Sequence, residues 1–222
     1  VASYGFSQSA GTYTSITGGT VLSSAGSNWN NDRFTVTLPS PFWFAGQTYS
    51  TLYVSSNGFI TFGSIMSPGE TSPISSPAGY AGAVSPFGTN IQNANTSTSE
   101  IRWVTSGNEV VVQWKDAQRK VQGNSESFSF QARLNTVNGA IRFIYSSVTN
   151  LNSSMQRQPE IGLRGANNTF TTNVNNRTVG TGGETWSTTL AGTANNNTVR
   201  FTNKAPARSP SAGQTYTFTP TL

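Results

Sequence analysis

Apolar and polar residues alternate with a period of two along the run from Glu109 to Val148. Successive side chains of a β-strand point to opposite faces of the sheet, so this period is typical of half-buried strands. Similar segments bounded by Gly, Asn, Ser and Pro recur along the chain, and a helical period is absent, which predicts an all-β protein. The predicted strands are Phe34–Leu38, Tyr49–Val54, Phe59–Phe62, Glu100–Val104, Glu109–Lys115, Glu126–Leu134, Ala140–Val148, Glu160–Leu163, Thr198–Thr202 and Thr215–Thr219.

The length of 222 residues predicts one antiparallel, jelly-roll-like β-sandwich that forms a single domain over residues 1–222. A hydrophobic fraction of 34%, with five Trp and thirteen Phe, is enough to fill its core. Trp103 and Trp114 share the phase of the apolar strand positions and are predicted to lie inside. Residues 66–95 are rich in Pro, Ser, Gly and Ala, which indicates a long surface loop or edge segment.

One hairpin is defined well enough for its register to be predicted. Its turn is the segment 135–139, Asn-Thr-Val-Asn-Gly. The predicted cross-strand pairs are Leu134 with Ile141, Ala132 with Phe143, and Phe130 with Tyr145. This register places Arg133 opposite Arg142 on the outer face, where Glu109 of the preceding strand could neutralise their repulsion. The row is either a surface ion-pair network or a contact for an anionic glycan or a partner.

Aromatic residues in turn-rich segments are further candidate contacts. Trp29, Trp43 and Trp186 follow this pattern, and Tyr80 lies in the Pro-rich segment. Such rings either stack on sugars and anchor interfaces, or cap the ends of a sandwich. The complete set of candidate glycan or interface contacts is Trp29, Trp43, Tyr80, Arg133, Arg142 and Trp186.

The sequence lacks the side chains on which most catalytic and metal sites depend. It contains no His and no Cys, and only two Asp and six Glu. We therefore predict no catalytic residue, no metal site and no cofactor. The segment 30–32, Asn-Asn-Asp, is interpreted as a turn rather than a calcium site. A glycan-cleaving enzyme stays as a remote alternative, because two carboxylates from distant loops could still converge on a cleft.

The charge pattern argues against a nucleic-acid partner. The net charge is +5, but the thirteen basic residues are dispersed, and only Lys115, Arg119 and Lys120 form a local group. No apolar run approaches the ~18 residues of a membrane span, so no membrane insertion is predicted. Thr, Ser and Asn supply 83 of the 222 residues, while charged residues are only 9%. This composition favours secretion, with a start at Val1 that resembles a processed N-terminus.

Two passages resemble known extracellular proteins. The opening from Tyr4 to Ser9 resembles the start of secreted surface proteins of Bacteroidetes. The segment 53–63, YVSSNGFITFG, is similar to the core motif of nidogen-like domains, and the segments 128–134, 141–145 and 161–165 fit the same pattern. The resemblance implies an extracellular β-sandwich of adhesion, matrix or cell-surface proteins, and it transfers no catalytic residue. Asn57 and Gly58 are expected to form the positive-φ pair of a tight turn.

The leading hypothesis is a non-enzymatic structural or adhesive protein of the cell surface, with a self-assembling fibre or layer subunit as one form. Its partners would be further copies, other surface components or a polysaccharide. The two ends of the chain are expected to pair as strands, within the sheet or with a neighbouring subunit. The chain is expected to be either complete or one excised domain. The alternative hypothesis is a lectin-like, carbohydrate-binding module.

Overall fold

A computed structural model describes residues 4–74, 76, 78–146, 149–150, 159–165, 174–176, 190–191, 198–201 and 214–220. Across these ranges the regular elements are β-strands. They are β1 (Tyr4–Ala10), β2 (Thr20–Ser23), β3 (Arg33–Phe44), β4 (Gln47–Ser55), β5 (Phe59–Phe62), β6 (Gly82–Gly88), β7 (Ile91–Asn93), β8 (Glu100–Ser106), β9 (Glu109–Arg119), β10 (Phe128–Asn135), β11 (Ile141–Tyr145), β12 (Glu160–Arg164), β13 (Val174–Asn176), β14 (Leu190–Ala191), β15 (Thr198–Phe201) and β16 (Gln214–Pro220).

The strands form two sheets. Sheet A has the order β1-β16-β11-β10-β9-β8-β2, with β7 also paired to β9. Sheet B has the order β14-β13-β15-β12-β6-β5-β4-β3. The described pairings are antiparallel except that of β13 with β15. Each sheet contains a four-stranded meander, β8 to β11 in sheet A and β3 to β6 in sheet B. The predicted antiparallel sandwich is confirmed, and so is the pairing of the two ends, because β1 pairs with β16.

An aromatic core fills the space between the sheets. Phe87 of β6 lies against Phe128 and Phe130 of β10, with ring centroids 4.5 and 5.5 Å apart. Two hydrogen bonds also cross the core. The Trp114 indole donates to the Ser55 carbonyl at 2.9 Å, and the Tyr145 hydroxyl donates to the Pro86 carbonyl at 2.7 Å. Buried polar tips of Trp and Tyr need such partners, so these bonds fix how the sheets are aligned.

The predicted core positions of the tryptophans on β8 and β9 are confirmed to different degrees. Trp114 is fully buried. Trp103 is half-buried and packs against the edge of the core, because β8 lies next to the short edge strand β2.

The register of the β10–β11 hairpin is confirmed. Leu134 pairs with Ile141, Phe130 with Tyr145, and Arg133 with Arg142. The β4–β5 turn differs from the expectation. Ser55 pairs with Phe59, so three residues form the loop, and among them only Gly58 has a positive φ, 84°. A Cβ at Gly58 would lie 2.3 Å from the Phe87 carbonyl oxygen, so close packing also requires glycine there.

The interpretation of residues 66–95 as a long loop or edge segment is wrong for residues 82–88, which form β6. All seven residues of β6 are buried, and the strand lies between β5 and β12 inside sheet B. A strand that is covered on both faces shows no alternation, which is why the pattern missed it. A Cβ at Gly82 would lie 2.5 Å from the Phe44 ring, so the small residues permit close packing.

Residues 64–81, which we name the cover segment, pack over the outer face of sheet B. Met66 and Tyr80 form a second apolar cluster with Phe59 and Ala83 of the sheet. The Arg164 guanidinium is fully buried, lies 4.2 Å from the centre of the Tyr80 ring and donates to the Ala78 carbonyl. Burial lowers the pKa of Arg164 and raises the pKa of Tyr80.

Residues 11–19, which we name the strap, connect β1 at one edge of sheet A to β2 at the opposite edge. The strap crosses the outer face over two glutamines of the central strands. The Tyr13 hydroxyl and the Ile16 amide donate to Gln113 Oε1 at 2.9 and 2.8 Å. Gln131 Nε2 donates to the Thr14 carbonyl at 2.7 Å. Both glutamines are therefore buried although they point away from the core.

Candidate functional site

Two of the predicted aromatic contacts lie inside the protein. Trp29 and Tyr80 are each only 2% exposed, so neither ring presents a face to a ligand, and their assignment as stacking platforms is corrected. Trp29 packs into the main core, while Tyr80 holds the cover segment through its ring and its hydroxyl, which donates to the Pro73 carbonyl at 2.6 Å. Trp186 lies outside the described residues.

Among the predicted aromatic contacts that the structure describes, Trp43 reaches solvent. It lies in β3, one residue before the strand ends, and its side chain is 36% exposed. The ring stacks on Tyr4 of β1, with centroids 6.3 Å apart and planes inclined by 27°. Tyr4 is held in turn by its hydroxyl, which accepts a hydrogen bond from the Ala45 amide at 3.4 Å. Burial raises the pKa of Tyr4 to about 12, so the hydroxyl stays protonated at physiological pH.

An open pocket of about 500 Å³ lies beside Trp43 at one end of the sandwich. It joins the two sheets, because Trp43 belongs to sheet B and the remaining walls belong to sheet A. The lining residues are Trp43, Val137, Asn138, Gly139, Thr219 and Pro220. None of them is charged, and Val137 at the tip of the hairpin is 74% exposed.

Gly139 shapes this pocket through both its backbone and its missing side chain. Its φ of 71° closes the hairpin turn. A Cβ at this position would lie 3.1 Å from Pro220 Cγ and 3.1 Å from Trp43 Cε3. The pocket wall therefore depends on a close approach between the hairpin tip, β16 and the tryptophan ring.

The predicted row of charges on the outer face of sheet A is confirmed. Arg133 Nη1 donates to Glu109 Oε2 at 3.1 Å, and Arg142 Nη2 donates to Glu109 Oε1 at 2.6 Å. Arg133 also donates through Nε to Gln131 Oε1 at 3.0 Å. One carboxylate is thus shared by two guanidinium groups, which leaves the row with one excess positive charge. Arg142 is its most accessible member, with a side chain that is 40% exposed.

The charged row and the pocket are continuous. Arg142 pairs with Thr217 across β11 and β16. Thr219 follows two residues later on the same face of β16, about 7 Å along the strand, and lines the pocket. We name this area, the pocket together with Arg142, the end surface. It combines a partly exposed aromatic ring, Trp43, with a partly exposed cation, Arg142.

A family model described as NIDO related matches residues 3–220. The chain belongs to the NIDO-related family. No curated protein and no solved structure matches it. The match supports the nidogen-like resemblance of the segment that forms the β4–β5 hairpin, while secretion and an origin in Bacteroidetes stay predictions.

Most carboxylates that the structure describes in this NIDO-related chain are held by nearby donors. Glu126 is buried with Arg119, and Oε2 accepts from Nη2 at 2.6 Å. Glu100 accepts two hydrogen bonds from Arg102, at 2.5 and 2.6 Å. These bonds lower the pKa of Glu100. Burial acts to raise the pKa of Glu126, but Arg119 outweighs it and lowers the pKa overall.

Two further glutamates hold the cover segment, Glu70 by bonds within the segment and Glu160 by a bond from β12 of sheet B. Glu70 accepts from two backbone amides and, at 2.6 Å, from the Ser76 hydroxyl. Glu160 accepts from the Ile74 amide at 2.7 Å. In the described part of the chain, no group of three or more acidic residues is placed to hold a metal ion, and no helix is long and apolar enough to cross a bilayer.

The structure therefore brings together only part of the predicted contact set. Arg133 and Arg142 lie near the hairpin end of sheet A, and Trp43 lies in β3 of sheet B, next to the hairpin tip. The pocket residues that sequence reasoning missed lie in the predicted turn 135–139 and in the last predicted strand. The sequence carries no specific signal for them, because a single apolar residue in a turn, such as Val137, is ordinary on a protein surface.

Proposed function

We propose that this chain is a non-enzymatic adhesive module of an extracellular surface and that the end surface is its contact site. The observation that carries the proposal is Trp43, a half-exposed ring that is fixed by stacking on Tyr4 and that lines an uncharged pocket. A rigid aromatic ring beside an apolar pocket binds a partner with little loss of side-chain entropy. Membership of the NIDO-related family supports an extracellular role.

The state of the carboxylates supports binding rather than glycan cleavage. A glycosidase needs a general acid with a raised pKa facing a second carboxylate across a cleft. Glu100 and Glu126 have lowered pKa values, and the pocket lining contains no titratable side chain. The end surface thus has a pocket, an aromatic face and a cation, which are features suited to binding a ligand.

Adhesion is tested by the binding of the labelled protein to intact cells of its own source, followed by competition with unlabelled variants. Wild-type protein and Ile65→Ala should compete equally, because Ile65 is 43% exposed but lies outside the pocket. Trp43→Ala should lose about 2 kcal/mol of binding free energy, roughly thirty-fold in Kd. Absence of saturable binding, or equal competition by Trp43→Ala, would contradict the proposal.

Carbohydrate binding is the second candidate, and Arg142 is the observation that favours it. An aromatic ring packs against the apolar face of a sugar, while a guanidinium pairs with a carboxylate. The end surface carries both groups, because Arg142 pairs with Thr217, two residues from the pocket residue Thr219. The chemical class that fits them is a polysaccharide containing uronic acids.

A calorimetric titration with polygalacturonate, compared with neutral dextran, tests this candidate. Wild-type protein should bind the acidic polymer, and affinity should fall as salt rises because part of it is ionic. Arg142→Gln should remove the preference for the acidic polymer, whereas Lys120→Gln, which removes a positive charge at the opposite end of β9, should not. Equal effects of the two variants would show that the binding is general electrostatic attraction, and this would overturn the proposed site.

A further inference from the structure

β1 differs from the other sheet edges that the structure describes. It lies at the edge of sheet A and pairs only with β16, through seven residue pairs. Its sequence, YGFSQSA, contains neither a charged residue nor a proline. By contrast β3 carries Arg33, Pro39 and Pro41 and a register shift, while β2 has four residues and β14 has two. Charges, prolines and shortness are the usual devices that prevent an edge strand from pairing elsewhere.

The strap that follows β1 is close to its maximum reach. Six strand-to-strand steps separate β1 from β2, which is about 29 Å at ~4.8 Å per step. The ten residue steps from Ala10 to Thr20 extend to at most ~33–36 Å. Twist of the sheet lengthens the path further. A connection this short for its span favours exchange of the connected element between molecules.

The strap is attached by hydrogen bonds rather than by an apolar core. Its hydrogen bonds to β9 and β10 involve mainly Gln113 and Gln131, and Arg102 of β8 donates to the Gly18 carbonyl at 2.5 Å. The fit is incomplete, since Gln113 Nε2 is buried without an acceptor. An unmade hydrogen bond costs free energy, whereas the bonds that are made would form equally well on the same face of another copy.

The place that β1 occupies is specific for its own sequence. Tyr4 is 4% exposed and fills a slot beside Trp43 and Phe44, and the register with β16 continues without a shift from Tyr4 to Ala10. The segment that matches this slot and this register is β1, so a second copy of the chain carries the complementary strand.

A hinge is also present. Gly18 and Gly19 are the last two residues of the strap, and both have positive φ, 77° and 71°. A Cβ at Gly18 would meet no atom within 4 Å, so the chain can turn there without obstruction. Rotation about Gly18 would carry β1 and residues 11–17 away from their own sheet, while Gly19 stays packed against Trp103 and Val104 of β8.

We propose that β1 and the strap are exchangeable, so that β1 of one copy pairs with β16 of a second copy. Exchange preserves the pairs between β1 and β16 and frees the strap from having to reach β2 of the same sheet. The proposal names a second copy of this chain as a partner and is independent of what the end surface binds.

The chain has no cysteine, so single cysteines report the pairing directly. Ser7 and Thr217 are opposite each other in the β1–β16 register, and residues opposite in an antiparallel pair lie at a Cα separation of about 4.5–5.5 Å, which a disulfide can span. Ser7→Cys and Thr217→Cys variants are mixed, unfolded in urea, refolded together at high concentration and oxidised. The disulfide dimers are then mapped by mass spectrometry.

The expected result is a 7–217 disulfide between chains, several-fold above the control mixture of Ser7→Cys with Val137→Cys. A 7–7 disulfide in excess would mean that two β1 edges pair side by side, and it would overturn exchange. Equal amounts of all dimers would overturn it too. The double variant in one chain should form the 7–217 bond within the monomer at high dilution, and failure to do so would contradict the register on which the proposal rests.

A second variant tests whether the short length of the strap favours exchange. Insertion of Gly-Ser-Gly-Ser after Thr17 lengthens the strap without changing its contacts with the glutamines. The slack connection should lower the exchanged fraction several-fold, measured by the same cross-link and by light scattering. An unchanged or larger exchanged fraction would refute the argument that the short strap favours exchange.

Discussion

Arginine–glutamate contacts occur at both ends of sheet A, and they differ in burial. At one end, which we name the closed end, Arg119 and Glu126 join β9 to the start of β10 and are both inaccessible to solvent. At the other, the open end, Glu109 is shared by Arg133 and Arg142, whose side chains are 20% and 40% exposed. The same pair of residue types therefore stabilises a connection at one end and remains accessible at the other.

The difference shows how burial separates structure from recognition. At the closed end every group is matched, since Glu126 Oε1 also accepts from the Arg119 amide at 3.1 Å and Asn124 donates to the Arg119 carbonyl at 2.8 Å. At the open end two cations share one anion, and the excess charge lies next to the pocket. A satisfied buried pair holds the fold, whereas an unbalanced exposed pair can bind a ligand.

The largest effect is expected from Glu126→Gln at the closed end. The change keeps the volume but leaves the Arg119 charge buried without its counter-charge, so the free energy of unfolding should fall by ~3–5 kcal/mol in urea titrations. The double variant Arg119→Met/Glu126→Leu should lose less than Glu126→Gln, because it removes both charges. A loss below 1 kcal/mol for Glu126→Gln would refute the distinction between the two ends.

Low pH should also lower the free energy of unfolding through the ion pair at the closed end. The pKa of Glu126 is lowered in the folded protein, so the ion pair contributes its full stability above the unfolded carboxyl value of ~4.3 and loses it as the pH falls through the folded pKa. The difference in unfolding free energy between wild type and Glu126→Gln should therefore shrink below pH 4. A difference that stays constant down to pH 2 would show that the carboxylate contributes no charge-dependent stability.

Gly139→Ala should have an intermediate effect at the open end. The positive φ alone costs about 1–2 kcal/mol in an L-residue, and the new Cβ would press on Trp43 and Pro220. Gly107→Ala is the matched control, because Gly107 has a φ of 57° and open space around its Cβ. Gly139→Ala should be the less stable variant by thermal unfolding and should also lose binding. Equal stability and equal binding of the two variants would show that contacts of the Gly139 position with Trp43 and Pro220 are not needed for the pocket.

The smallest effect on stability is expected from Glu109→Gln, about 0–1 kcal/mol, since the row is partly exposed. Its effect on binding should be larger and opposite in sign. Removal of the shared carboxylate frees Arg142, so affinity for polygalacturonate should rise, measured by the calorimetric titration described above. A fall in affinity would show that Glu109 positions the arginine rather than competing for it.

The predictions from sequence succeeded where contacts are local. The β10–β11 hairpin was predicted in full, including the row of Glu109, Arg133 and Arg142, because alternation and a short turn fix which residues face each other. They failed for β6, whose Ser, Pro and Gly residues resemble a loop. They also failed for Tyr80 and Trp29 as contacts, because the burial of both rings depends on segments distant in the chain.

The sequence by itself determined the β class, the alternating core positions and the registers across short turns, because these depend on neighbouring residues. Only the tertiary structure decided that Trp43 meets Pro220 and the hairpin tip, that the strap spans sheet A, and that residues 64–81 cover sheet B. These contacts join residues that are far apart in the chain. The packing of the two sheets selects them, and no local pattern encodes that packing.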